Sequence, residues 1–194
     1  MSTRSVYVTS PEGHTGKSSI ALGLVDLLAG QVQRVGVFRP IIRSRDEEDT
    51  VLRLLLNHDA VDLNYEACIG VTYDDVHTDP DGALSEIIRK YRATADKCDV
   101  MVIVGSDYTD VAGPTELAYN ARIAANLGSV VVLVTSAWQR DGHDVRQVID
   151  QAISELDAGH AHTVAVVANR AVPEQLEHVR DAISDLDVPS WVLP

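Results

Sequence analysis

Four short apolar runs dominate the chain: Val35–Phe38 (VGVF), Val100–Val104 (VMVIV), Val130–Val134 (VVVLV) and Val164–Val167 (VAVV). None alternates polar with apolar residues. A strand that is apolar on both faces must be covered on both, as in a parallel sheet sandwiched between helices. Between the runs lie segments with helical spacing: DEEDTVLRLLLNHD, DGALSEIIRKYRATA, GPTELAYNARIAANLG, DVRQVIDQAISELDAG and PEQLEHVRDAISDL. Several start near Pro, Asp or Thr and end at Gly or Asp, as capped helices do. The pattern predicts a three-layer α/β fold: a mostly parallel, twisted sheet with helices on both faces and right-handed crossovers. The first strand is expected at the centre of the sheet. CIGVTY reads as a further short strand, the following DDVHTDPD as an acidic turn, and PSWVLP as a last strand. No repeat, linker or low-complexity stretch divides the sequence, so residues 1–194 are read as one domain, either a piece of a longer protein or a compact small one.

Bulk composition excludes several classes of partner. A net charge of −13 repels phosphate backbones, so nucleic acid is not an expected partner. No apolar run is long enough to cross a bilayer, and MSTRSVYVTS lacks the apolar core of a secretion signal, so a cytoplasmic location away from membranes is expected. Cys68 and Cys98 have no CxxC spacing and read as reduced, partly buried thiols.

The chemistry concentrates between the first strand, Ser5–Thr9 (SVYVT), and the apolar segment Ile20–Ala29. The intervening residues read SPEGHTGKSS, and Gly16-Lys17-Ser18 in a strand–loop–helix context marks a phosphate-binding loop. Backbone N–H groups of such a loop favour an anion. Lys17 is placed to meet the β- and γ-phosphates of a nucleotide, and the Ser18 hydroxyl to face Mg²⁺. Glu12, Gly13, His14, Thr15, Gly16 and Ser19 complete the expected cradle. Position 11, where the full motif has glycine, is Pro11, which fixes φ and donates no N–H. Mg-ATP or another nucleotide is therefore expected to bind weakly, and a relic loop that binds none is the alternative.

Ligands of open α/β sheets sit at the carboxyl ends of the strands. There Arg39 can neutralise a phosphate or a carboxylate, or serve a surface ion pair. Asp107, after MVIVGS, is either a metal-holding carboxylate or a turn cap, and Asp110 can share either role. Asp49 is a further candidate for the metal, although acids at a helix start are favoured in their own right. Asn169 and Arg170 can read a base edge or ribose; a turn-forming Asn is the competing account. His160 and His162 lack a third ligand and read as a loop feature. Trp138 and Trp191 show no stacking pattern and read as local packing. No nucleophile elbow, HExxH or Ser/His/Asp signature is present.

The order VTSPEGHTGKSS, VGVFRPI, VIVGSDYTD and VVANR resembles the dethiobiotin synthetase-like P-loop superfamily. More specifically, VGVFRPI, GSDYTDVAGPTELAYNARIAANLG and VVANRAVPE resemble the N-terminal domain of long-form phosphate acetyltransferases of the actinobacterial kind. The resemblance covers nearly the whole chain and implies a P-loop NTPase-like fold. It also departs from the synthetases. Ser10 stands where they have Gly, Pro11 where they have Thr, Arg39 where they have Lys, and Gly105 where their strand carries Glu.

These departures count against dethiobiotin chemistry and leave the Gly16-Lys17-Ser18 cradle intact. What the resemblance implies is a regulatory or assembly domain whose partners are a downstream acetyltransferase domain, homo-oligomer subunits and a small-molecule effector. Acetyl transfer between acetyl-CoA and phosphate would belong to that downstream domain. The rival is a stand-alone ATP-dependent ligase with Lys17, Ser18, Asp49 and Asp107 around Mg-ATP. A third reading is a non-binding scaffold.

Overall fold

A computed structural model describes residues 3–106 and 116–194. Strands β1 (Arg4–Thr9), β2 (Val35–Ile42), β3 (Ile69–Thr72), β4 (Val100–Val104), β5 (Val130–Ser136), β6 (Thr163–Asn169) and β7 (Ser190–Val192) form one seven-stranded sheet. Its order is β3-β2-β4-β1-β5-β6-β7, with β1 at the centre. Every strand pairing is parallel. The helices are α1 (Lys17–Ala29), α2 (Thr50–Leu56), α3 (Tyr73–Thr78), α4 (Pro80–Ala95), α5 (Glu116–Leu127), α6 (Gly142–Ala158) and α7 (Leu176–Ala182).

Successive strand residues face opposite sides, and the core divides accordingly. Tyr7, Met101, Ile103 and Leu133 pack on one face against Ile87 of α4, Ile123 of α5, Ile149 of α6 and Val179 of α7. Val8, Val102, Val104 and Val132 pack on the other against Ala21 and Val25 of α1 and Leu52 and Leu55 of α2. The absence of polar/apolar alternation in the valine-rich runs has this cause: both faces are dry.

Two local expectations change. The acidic segment after β3 is not a turn but a helix, α3, running almost directly into α4. Thr72 and Asp75 make a reciprocal capping box at its start. Asp79 then caps α4, accepting from the Gly82 N–H at 3.0 Å, with Pro80 in its first turn. The last helical segment is also broken, into a 3-10 turn at Pro173–Gln175 followed by α7.

Candidate functional site

The loop joining β1 to α1 lies at the carboxyl edge of the central strand, where parallel sheets present their ligands. Its shape comes from two left-handed residues. Gly16, with φ 80°, precedes the first turn of α1, and its carbonyl accepts from Ser19 and Ile20. His14, with φ 58°, is exposed and makes the preceding bend. The left-handed φ favours glycine at position 16, and a Cβ there would push aside the Asn169 amide that holds the loop. The first amides of α1 have no carbonyl behind them, as at any helix start. Lys17 is 3% exposed and Thr15 1%, while Ser18 is half-buried.

The loop is held from three directions. Asn169 donates from its amide to the Thr15 carbonyl at 2.8 Å. Arg170 donates to the His14 carbonyl at 2.7 Å. Glu12 takes two hydrogen bonds from Arg140, one of them 2.7 Å long, and a third from the Ser136 N–H at 3.3 Å. Burial alone would push the Glu12 carboxyl up; the Arg140 guanidinium and the Ser136 N–H outweigh it and hold Glu12 below its ordinary value of 4.5. Ser10 also closes the loop on itself, donating to the Glu12 carbonyl at 2.8 Å.

Thr9 at the end of β1, Thr15 in the loop, Ser106 beyond β4 and Thr135 in β5 carry buried hydroxyl oxygens without a hydrogen-bond partner in the protein. Buried polar groups are ordinarily satisfied. Four unsatisfied hydroxyls at the carboxyl edge therefore mark a place suited to water or a polar ligand. Together with the left-handed glycine and the buried lysine, they fit a hydrated metal–phosphate group.

On the opposite side of the loop the predicted residues do different work. Arg39 is 2% exposed and is anchored inside the protein. It donates to Asp49 at 3.2 Å, to the Val104 carbonyl at 3.0 Å and to the Gly105 carbonyl. Asp49 is the cap of α2, accepting from the Leu52 N–H at 2.8 Å and carrying Arg39 on its other oxygen. A cleft of about 590 Å³ opens beside this pair, lined also by Arg43, Ser44, Asp46, Glu47 and Glu48. Asp107 and Asp110 lie outside the described residues. Among the described residues, no three His, Cys, Asp or Glu side chains gather to hold a metal ion. Burial pushes the Cys68 thiol up to about 12, an inert setting.

Sequence reasoning passed over two residues here, Arg140 and Asn120. Arg140 has only a lone charge in a loop to announce it. Asn120, in α5, accepts from the Tyr7 hydroxyl at 2.7 Å and from the Ser106 N–H at 3.2 Å, and so positions the end of β4. Trp138 and Trp191 are 50% and 53% exposed, so neither is the packing residue it was expected to be.

With this geometry in view, a family model described as an AAA domain matches residues 4–188. The chain belongs to that family. Over 182 residues it is 31% identical to a phosphate acetyltransferase of Nitratidesulfovibrio vulgaris, covering 90% of this chain and 26% of that protein. The AAA-domain chain thus spans about a quarter of the length of this curated relative. Among solved structures it is similar to the signal recognition particle 54 kDa protein of Aeropyrum pernix K1 in complex with GDP. The TM-score is 0.63 at 10% identity, covering 99% of this chain and 42% of that one. It is also similar to a nucleotide-binding protein of Archaeoglobus fulgidus in complex with ADP. There the TM-score is 0.56 at 15% identity, covering 98% and 81%. The fold is that of the P-loop NTPases.

Proposed function

We propose that this AAA domain is the N-terminal P-loop domain of a phosphate acetyltransferase, that it binds a magnesium-bound nucleoside phosphate weakly, and that it regulates acetyl transfer performed elsewhere in the full-length protein. The observation that carries the parentage is 31% identity across 90% of the chain. Nucleotide binding is supported by the buried Lys17 beside a left-handed Gly16 and by the unsatisfied hydroxyls of the loop and nearby strand ends. Lys17 would neutralise the terminal phosphates, the α1 amides would receive phosphate oxygens, and Ser18 would face the metal. The ion supplies charge neutralisation when bound. Residues 1–194 act as one unit in this reading, in the cytoplasm, with a downstream acetyltransferase domain and other subunits as partners.

A stand-alone ligase is the weaker reading. At position 105, where the synthetase pattern has Glu, a Cβ would come within 2.5 Å of Asn120 Oδ1 and 2.9 Å of Tyr7 Cε1. There is no room for a carboxylate there without repacking α5.

Calorimetric titration with Mg-ATP and Mg-ADP tests the site. Weak binding abolished by Lys17→Ala is the expected outcome. Tight binding that survives Lys17→Ala would place the ligand elsewhere, and no binding at all would leave the loop a scaffold.

A further inference from the structure

We propose that Trp138 and Arg170 form a stacking ledge for the base of the nucleotide, which makes them specificity-determining residues of the site; the inference rests on the loop being a nucleotide site. Trp138 lies in the segment between β5 and α6, two residues after the Ser136 whose N–H donates to Glu12. Its indole is half exposed, although an indole gains more from burial than almost any side chain. The guanidinium of Arg170 lies over the indole, 5.5 Å from the ring centroid. That same guanidinium donates to the His14 carbonyl, so the pair is tied directly to the phosphate loop.

The backbone is unusual at one partner and directly beside the other. Arg170 has φ 64° and Gln139, next to Trp138, has φ 57°. Non-glycine residues adopt this region at a cost, and such residues gather where a side chain must be aimed. The chain at Trp138 is further fixed by the backbone N–H of that residue, which donates to the Ser136 hydroxyl at 3.2 Å.

A planar cation on a planar aromatic, standing at the rim of an anion cradle, is what a nucleobase can stack on. The other side of the loop carries a similar pair, Arg53 over Tyr65 at 5.4 Å, but there the guanidinium is also bonded to Glu48. The cleft on that side is lined by Asp46, Glu47, Glu48 and Asp49, with Arg39 committed to Asp49 and to backbone carbonyls. Stacking tolerates any base but gives nothing to a bare polyphosphate. The ledge therefore predicts that the base, and not only the phosphate chain, contributes to affinity.

The test compares Mg-ATP with Mg-tripolyphosphate, by calorimetry and by tryptophan emission, on the wild-type chain, Trp138→Ala, Trp138→Phe, Trp191→Phe and Lys17→Ala. Wild type should bind ATP about tenfold more tightly than tripolyphosphate. Trp138→Ala should erase that difference while leaving tripolyphosphate binding unchanged, and Trp138→Phe should restore most of it. ATP should change the emission of Trp191→Phe, which retains Trp138, and not that of Trp138→Phe. ATP binding that depends on Lys17 but ignores Trp138→Ala overturns the ledge and leaves the loop reading standing. Equal wild-type affinity for both probes also overturns it. If neither probe binds at all, both readings fall.

Discussion

Gly105 shows how one missing side chain can set the chemistry available to a fold. Asn120 fills the space a Cβ would need, and its amide ties Tyr7, Ser106 and the start of α5 together. Tyr7 is fully buried, and burial raises its hydroxyl far above the ordinary value, so it remains a neutral donor to Asn120. Gly105→Ala is expected to cost about 1–3 kcal/mol by overpacking. Asn120→Ala is expected to cost a similar amount, about 1–3 kcal/mol, because it strands a buried hydroxyl and an N–H. Denaturant unfolding of both variants measures this directly. A wild-type midpoint for Gly105→Ala would mean that α5 yields easily and that a larger residue is tolerated there. Arg39 is a residue of the same kind: its ion pair with Asp49 is nearly sealed from solvent, so truncating it is expected to cost about 3–5 kcal/mol. A loss of ligand response in Arg39→Ala would therefore report damaged structure before it reported a lost contact.

Among the elements, the segment between β5 and α6 controls the phosphate loop, and it does so through Glu12 and Arg140. The folded Glu12 carboxyl lies below its ordinary 4.5. A depressed acid stabilises the fold above its unfolded value, and that stabilisation is lost as pH falls through the folded value. Near pH 7 the ion pair is present in full, and below 4.5 it drains away. Both partners are 29% exposed, so the contribution is modest, up to about 1 kcal/mol. Arg140→Ala should lower the melting temperature by about 2–4 °C at neutral pH. The gap from wild type should close as the pH is taken below 4.5. A gap that persists unchanged into acid would show that Arg140 acts through packing, or through its bond to the Ser136 carbonyl, instead of through Glu12.

At the scale of the whole molecule, a regulatory role requires that the ligand favour one state of the parent protein over another. Deleting residues 1–194 from a full-length phosphate acetyltransferase of this type is expected to leave basal acetyl transfer measurable and to abolish any response to nucleotide. Initial rates with and without ATP on the intact and shortened proteins decide it. An unchanged response in the shortened protein would remove this domain as the sensor and favour an assembly role.

The sheet, its parallel sense, its central first strand and a helix following the phosphate loop were all legible in the sequence. They follow from local rules: uninterrupted valine runs need two covered faces, and Gly-Lys-Ser after a strand begins a helix. Even the missed helix α3 left a local trace, in the Thr72/Asp75 spacing of its capping box. What no local rule supplies is which distant groups meet. Arg39 looked like a ligand-facing cation at a strand end, and its contacts with Asp49, Val104 and Gly105 span up to 66 positions of sequence. Glu12 and Arg140 lie 128 positions apart, and Asn169 reaches back 154 to hold Thr15. Charge and residue type said that these side chains wanted partners. Only the folding of seven strands into one order chose them, because strand order, and not sequence separation, determines whose carboxyl ends lie side by side.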